Sequence, residues 1–140
     1  MKTRFSALVQ LKKDTMQKSE RALERANTDL NSAKKALDLA YESLQDIELP
    51  SSGAVSNFLA HKTLLESTRL LIRKNQEWVE FTQQQAYLAK QQLQKDMIEY
   101  EKFKYLEAEE LKKIQQAKEK LQAKELDEIA LMGFANRKLV

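Results

Sequence analysis

Large hydrophobic residues recur every seven positions through residues 9–47, and the residue three places after each is mostly small. The two rows are Met16, Leu23, Leu30, Leu37 and Leu44 at heptad position a, and Ser19, Ala26, Ala33, Ala40 and Ile47 at position d. Strict spacing over five repeats favours a coiled-coil helix over a surface helix on a globular core. Because small residues let two backbones approach closely, we expect an antiparallel partner helix whose large side chains fill the gaps.

A matching repeat follows a break that contains the single proline and one of the two glycines, Pro50 and Gly53. Its a row is Phe58, Leu65, Ile72, Val79, Ala86, Leu93 and Tyr100, and its d row is His61, Thr68, Asn75, Thr82, Ala89, Asp96 and Phe103. Proline cannot continue a helix, and a short connection makes antiparallel neighbours. We therefore predict an all-α fold, a long antiparallel two-helix coiled-coil hairpin whose second helix is longer than the first.

The predicted hairpin is a single domain over 1–140, with a helix at about 4–48, a turn at about 49–53, a helix at about 54–132 and a short C-terminal tail. With the turn near residue 52, we expect Leu44 to lie opposite about residue 60 and Phe5 opposite about residue 99. The second helix then overhangs the first by roughly 33 residues, about 50 Å. Its imperfect apolar stripe comprises Tyr100, Phe103, Leu106, Leu111, Ile114, Leu121 and Ile129. Such a helix gains little alone in water, so the overhang is expected to bind a partner, pair with its own copy or fray.

A further apolar row lies beside the a and d rows of the second helix. It consists of Leu64, Leu71 and Trp78, and with Thr68 and Asn75 between them it forms a ridge about 21 Å long. Two interpretations are open. These residues widen the hairpin interface, or they form a docking site for another protein with help from Trp78 and Phe81, because exposed apolar rows and aromatic residues mark interfaces.

The sequence shows no constellation for catalysis, for a cofactor or for a metal. Its two glycines lie 80 residues apart, so no phosphate-binding glycine loop exists, and cysteine is absent. His61, the lone histidine, falls in the d row and is expected to pack or face solvent rather than bind a metal. We predict a protein that is not an enzyme and uses no cofactor.

Charge and hydropathy narrow the classes of partner. The net charge of +3 comes from 24 basic and 21 acidic residues that are thoroughly mixed, as on a solvated helix surface. A nucleic-acid footprint would cluster lysine and arginine on one face, so we expect no nucleic-acid partner. No run approaches the ~20 apolar residues of a membrane span. We therefore expect no direct membrane insertion, and the lack of cysteine fits a reducing cytosol.

The two ends of the chain resemble those of the FliJ family of the flagellar export apparatus. Residues 5–13, Phe-Ser-Ala-Leu-Val-Gln-Leu-Lys-Lys, are similar to the opening aromatic–leucine–basic segment of that family. Residues 124–130, Lys-Glu-Leu-Asp-Glu-Ile-Ala, resemble its C-terminal charged Leu-Asp-Glu-x-Ala signature. The long first helix, the Pro/Gly break and the longer second helix resemble its hairpin.

The resemblance implies a cytoplasmic stalk of the flagellar type III export machine, located peripherally at the inner-membrane flagellar base. Such a stalk resembles the central coiled coil of rotary ATPases. It docks into the ring of the export ATPase (FliI), contacts the export-gate membrane protein (FlhA), and escorts export substrates and chaperones.

Two groups of residues correspond to partner-binding surfaces under this resemblance. By position, the gate-contacting surface of the family corresponds to Leu64, Thr68, Leu71 and Asn75, next to Trp78. The end of the hairpin opposite the turn would enter the ATPase ring, and its candidate residues are Phe5, Leu8, Leu11, Tyr100 and Phe103.

Two other functions fit the same pattern. One is a structural coiled-coil scaffold that forms homo-oligomers through the overhang, and the other is a stalk of another secretion or rotary ATPase. A fold does not separate these functions, because function lies in surface sites. Co-purification with an ATPase subunit would support a stalk, and self-association alone would support a scaffold.

Overall fold

The computed structural model describes residues 2–49 and 53–138, and in this part of the chain it contains two helices and no strand. Helix α1 spans Ser6–Gln45 and helix α2 spans Val55–Lys138, with 40 and 84 residues. The helices pack against each other as a hairpin, which confirms the predicted all-α fold with a longer second helix. α2 passes through Gly133 to Lys138 instead of ending near residue 132, because one glycine weakens a helix by only about 1 kcal/mol.

Two side chains cap the start of α1. The backbone N–H of Phe5 donates a hydrogen bond to Oγ1 of Thr3 at 3.1 Å, and the backbone N–H of Thr3 donates to Oγ of Ser6 at 2.8 Å. This reciprocal pair is a capping box in which serine takes the place of the usual Glu or Gln. It satisfies two N–H groups that a helix start leaves unpaired, and so holds Phe5 at the entrance of the helix.

The connection between the helices begins after Gln45. Gly53 has a φ of +147°, and a Cβ at that position would lie 2.5 Å from Nδ2 of Asn57. The positive φ favours glycine there, whereas the amide of Asn57 is the end of an exposed side chain that can move aside. The predicted break at Pro50 and the capping roles expected of Ser51 and Ser52 lie outside the described residues.

The helices contribute to two compact units. The middle unit is Met16–Asp96, and the terminal unit combines Met1–Thr15 with Met97–Val140. Each unit contains a stretch of α1 packed against a stretch of α2.

Small side chains form the interface of the middle unit. Its buried residues all fall in the predicted a and d rows, and they are Ser19, Ala33, Ala40, Thr68, Ile72, Thr82 and Ala86. The hydroxyls of Thr68 and Thr82 donate to the carbonyls of Leu64 and Trp78, each at 2.9 Å. Because these polar atoms are satisfied within their own helix, they cost little when they enter the interface.

The register of the middle unit differs from the predicted one. Ser19 Oγ donates a hydrogen bond to Asp96, and Nε2 of Gln76 donates to the hydroxyl of Tyr41 at 2.7 Å. Leu44 therefore lies opposite about residue 72, where residue 60 was expected. The prediction assumed that pairing begins directly on both sides of the turn. Residues 53–60, which include the first residues of α2, are instead all exposed. Phe58, predicted at an a position, is among them.

This register pairs small residues with small residues. It places Ala26 opposite Ala89 and Ala33 opposite Thr82. The expectation that large side chains of the partner helix fill the gaps was wrong. Small side chains on both helices instead allow the two backbones to approach closely, and Ala33 is completely inaccessible as a result.

A disulfide test checks this register, because the chain contains no cysteine of its own. The double variant Ser19→Cys with Asp96→Cys is expected to form an intramolecular disulfide under mild oxidation, since the two side chains are in contact. The matched control is Ser19→Cys with Ala89→Cys, one heptad away in the same d row and about 10 Å further along the helix. Faster oxidation of the control pair, measured by non-reducing electrophoresis, would contradict the register.

The terminal unit extends the pairing further along α2 than predicted. Lys12 Nζ lies 3.6 Å from Oε2 of Glu99 and 5.4 Å from the ring centroid of Phe103. Arg4 Nη2 lies 3.6 Å from Oε2 of Glu110. Phe5 is therefore opposite about residue 110 and not 99, and the half-buried Leu111 is the last α2 residue that is not exposed.

The overhang is consequently shorter than expected. Residues 112–137 are all exposed, and this segment, which we call the overhang from here on, measures about 39 Å at 1.5 Å per residue. Of the predicted apolar stripe, the residues up to Leu111 are at least partly covered, and only those from Ile114 onward belong to the overhang.

Candidate partner-binding surfaces

The described residues contain no group of three or more His, Cys, Asp or Glu side chains that could hold a metal ion. Between 2–49 and 53–138, no helix has a stretch both long and apolar enough to cross a membrane. Two of the concave regions are grooves along the junction of the two helices. The candidate partner-binding residues therefore lie on the outer surfaces of the helices.

The two flanks of α2 in the middle unit differ in chemistry. The residue before each a position forms one flank, and the residue after each d position forms the other. The first, which we call the apolar flank, comprises Leu64, Leu71 and Trp78, continued by the neighbouring Phe81 and Leu88. The second, the polar flank, comprises Lys62, Arg69, Gln76, Gln83 and Lys90. These two rows thus give α2 one hydrophobic and one hydrophilic flank.

The apolar flank remains accessible after the hairpin has formed. Leu64 is 54% exposed, Leu71 48% and Trp78 41%. Phe81 and Leu88 are 62% and 47% exposed. About half of each of these side chains is thus left to solvent in the folded hairpin. Exposed apolar rows of this length are characteristic of interaction sites.

Small residues of α1 border the apolar flank. A groove of about 600 Å³ lies between Ala22, Ala26 and Asp29 of α1 and Phe81 and Leu88 of α2. A second groove has Ser43 and Ile47 on one side and His61 and Leu64 on the other. Large apolar residues of α2 thus line both grooves, opposite a wall that includes small residues of α1.

The structure divides the predicted gate-contacting residues into two sets. Leu64, Leu71 and Trp78 share the exposed apolar flank. Thr68 is buried and Asn75 is half-buried, both in the d row that faces α1. Leu88 was not predicted from the sequence, although it lies seven residues after Phe81 and this spacing places both side chains on the same side of α2.

The residues expected to enter an ATPase ring are also divided by the structure. In the terminal unit, Phe5, Tyr100 and Phe103 are half-buried in the hairpin interface, whereas Leu8 and Leu11 are 39% and 57% exposed. Each aromatic ring has a cation of the same chain over it. The distances to the ring centroids are 4.9 Å for Arg4 over Phe5, 5.4 Å for Lys12 over Phe103 and 5.7 Å for Lys104 over Tyr100.

These cation–π contacts hold the aromatic side chains in place. The two leucines are therefore the accessible apolar groups of this set.

Comparison with known proteins agrees with the two-helix architecture and the resemblance at both ends. The sequence model of the family described as "Flagellar FliJ protein" matches residues 1–139, essentially the whole chain. No curated protein and no solved structure matches the chain. The chain belongs to the flagellar FliJ family and is a component associated with flagellar protein export.

Proposed function

We propose that this FliJ-family protein is a non-enzymatic stalk and escort of the flagellar type III export apparatus. It docks into the ring of the export ATPase (FliI), contacts the export-gate membrane protein (FlhA) and meets export chaperones. It works in the cytoplasm, peripherally at the inner-membrane flagellar base. Family membership supports the export role, and the surface chemistry of the hairpin supports the contacts.

One observation carries the gate contact: large hydrophobic side chains are exposed on one flank of α2, whereas the other flank of the same helix carries charged and amide side chains. If Leu64, Leu71 and Trp78 served only to widen the hairpin interface, α1 would cover them. Instead, 41–54% of each of these side chains stays exposed in the folded hairpin. The uncovered half of each side chain is then available to a partner.

The geometry suits an elongated apolar partner surface. Leu64, Leu71 and Trp78 recur every seven residues, so they project in one line along about 21 Å of helix. Thr68 and Asn75 lie beneath this line, facing α1. We propose that these two residues keep α1 and α2 close together. The apolar flank then stands above the groove between the helices.

The ATPase contact is assigned to the terminal unit. Leu8 and Leu11 are accessible there on α1, and the overhang of α2 is exposed on all sides. The overhang carries both basic and acidic residues. Solvated charge pairs are individually weak, which suits a stalk whose contacts with a ring form and release repeatedly.

Replacing the two leucines of the apolar flank tests the gate contact. The variant Leu64→Ala with Leu71→Ala is expected to weaken binding to the soluble part of the gate protein at least tenfold, because truncating a buried apolar anchor costs about 1–2 kcal/mol. The measurement is the dissociation constant by calorimetry. The matched control, Lys62→Ala with Arg69→Ala, removes two side chains from the polar flank and should bind as the unmodified chain does.

Circular dichroism of the same variants separates docking from packing. The leucine variant should keep its helical signal, since both side chains are about half exposed. A large loss of helix would show that these leucines act mainly as hairpin core. Unchanged binding by a folded variant would remove the apolar flank from the gate contact.

A further inference from the structure

The overhang carries an apolar stripe that the hairpin does not cover. Ile114, Leu121, Leu126 and Ile129 lie within one face of the helix, at the spacing of an amphipathic surface. They are 36%, 58%, 66% and 64% exposed. The face is interrupted near its centre by two charged residues of opposite sign, Lys118 and Glu125. A partner for this stripe must therefore offer both apolar contacts and complementary charges.

The two halves of the overhang carry opposite charge. The first half is basic through Lys112, Lys113, Lys118 and Lys120, with Glu119 as its one acidic residue. As far as Met132, the second half is acidic through Glu125, Asp127 and Glu128, with Lys124 as the one basic residue of that stretch, and Arg137 follows near the end. Residues 112–132 are thus self-complementary when they are reversed end to end.

We propose that the overhang pairs with the overhang of a second copy of this chain, antiparallel, around a two-fold axis near Leu121. With the axis between Leu121 and Gln122, Lys118 of one copy lies opposite Glu125 of the other, with Glu128 about one turn further on, and Ile114 lies opposite Ile129. A parallel pair would instead place lysines against lysines and acids against acids. A two-fold axis makes the same patch self-complementary, and charges that oppose across a helix pair set its orientation.

The size of the contact determines its strength. From Ile114 to Met132 the helix rises about 27 Å, which gives a single two-helix contact with charged residues inside it. Stable protein interfaces bury more surface than such a contact provides. Self-association is therefore concentration-dependent and reversible, and it leaves the hairpins of both copies intact. The pairing uses the same segment that the proposed function places at the ATPase ring, so one overhang either pairs with its copy or contacts the ring, and the sedimentation test reads the pairing without the ATPase.

Sedimentation velocity over a range of concentrations tests the pairing in the full-length chain. The unmodified chain is expected to dimerise as its concentration rises. Lys118→Glu should weaken the dimer at least tenfold, because it places like charges together, and adding Glu125→Lys should restore it. The matched control, Lys90→Glu on the polar flank, makes the same charge change elsewhere and should dimerise normally. A chain that stays monomeric at every concentration overturns the proposal.

Single cysteines test the orientation, since the chain has none of its own. Near the two-fold axis, Gln122→Cys is expected to give a disulfide-linked dimer on oxidation. Ile114→Cys lies about 11 Å along the helix from Leu121, so two copies of it end up far apart in an antiparallel pair and should not cross-link. Equal cross-linking of both variants would indicate a parallel pair and overturn the proposal, as would a dimer that Lys118→Glu leaves unchanged.

Discussion

Ending the chain after Leu111 is expected to abolish stimulation of the export ATPase and to leave the hairpin folded. Residues 112–137 are all exposed, so their removal is expected to leave the paired stretches of the two helices in place. The last ion pair of the terminal unit, Arg4 with Glu110, remains. The loss should therefore appear in the ATP hydrolysis rate of the partner, measured with full-length and shortened chains, and not in the helical signal per residue of the hairpin.

The matched control for this shortened chain is the Leu64→Ala, Leu71→Ala variant. It alters the middle unit only, and should stimulate hydrolysis as well as the unmodified chain. Equal stimulation by the shortened chain would move the functional contact to another surface, with Leu8 and Leu11 as the next residues to change. No stimulation by the full-length chain would favour a scaffold over a stalk.

Ala33→Leu is expected to lower the free energy of unfolding by about 1–3 kcal/mol, the usual cost of overpacking. Ala33 is completely inaccessible and lies opposite Thr82, where the two backbones approach closely. A hairpin of two helices has no third layer that could shift to make room. The larger side chain must therefore push the helices apart and weaken contacts on either side of it.

Thermal and urea unfolding measure this effect. Ala22→Leu is the matched control, since it makes the same substitution in the same helix at an exposed position. It should leave the unfolding free energy nearly unchanged. A melting temperature of Ala33→Leu equal to or above that of the unmodified chain would show that Ala33 does not face α2.

The distribution of small and large side chains suits a protein that works by binding. None of the larger side chains within the described residues is completely buried, and the buried positions are mostly alanine, serine and threonine. Small residues contribute little apolar area, so the hairpin depends on its length for stability. Large apolar side chains remain on the outside, where a partner protein gains from covering them.

The candidate surfaces were only partly predictable from the sequence. The row of Leu64, Leu71 and Trp78 was visible in the spacing, but whether α1 covered it was not. That depended on the register between the helices, which the hydrogen bonds of Ser19 with Asp96 and of Gln76 with Tyr41 define. The burial of Thr68 and the half-burial of Asn75 likewise follow from their d positions, although family resemblance had grouped them with the exposed leucines.

The sequence by itself determined that this protein is two helices in a hairpin. The seven-residue repeat predicts coiled-coil helices, the Pro50–Gly53 break separates them, and a short connection makes them antiparallel. Only the tertiary structure decided the register, and with it the length of the overhang. A coiled-coil repeat recurs along its length, so sliding one helix against the other can return the a and d rows to contact, and periodicity alone cannot choose between these positions. Contacts such as Ser19 with Asp96 and Arg4 with Glu110, together with the unpaired start of α2, mark the position that this chain adopts.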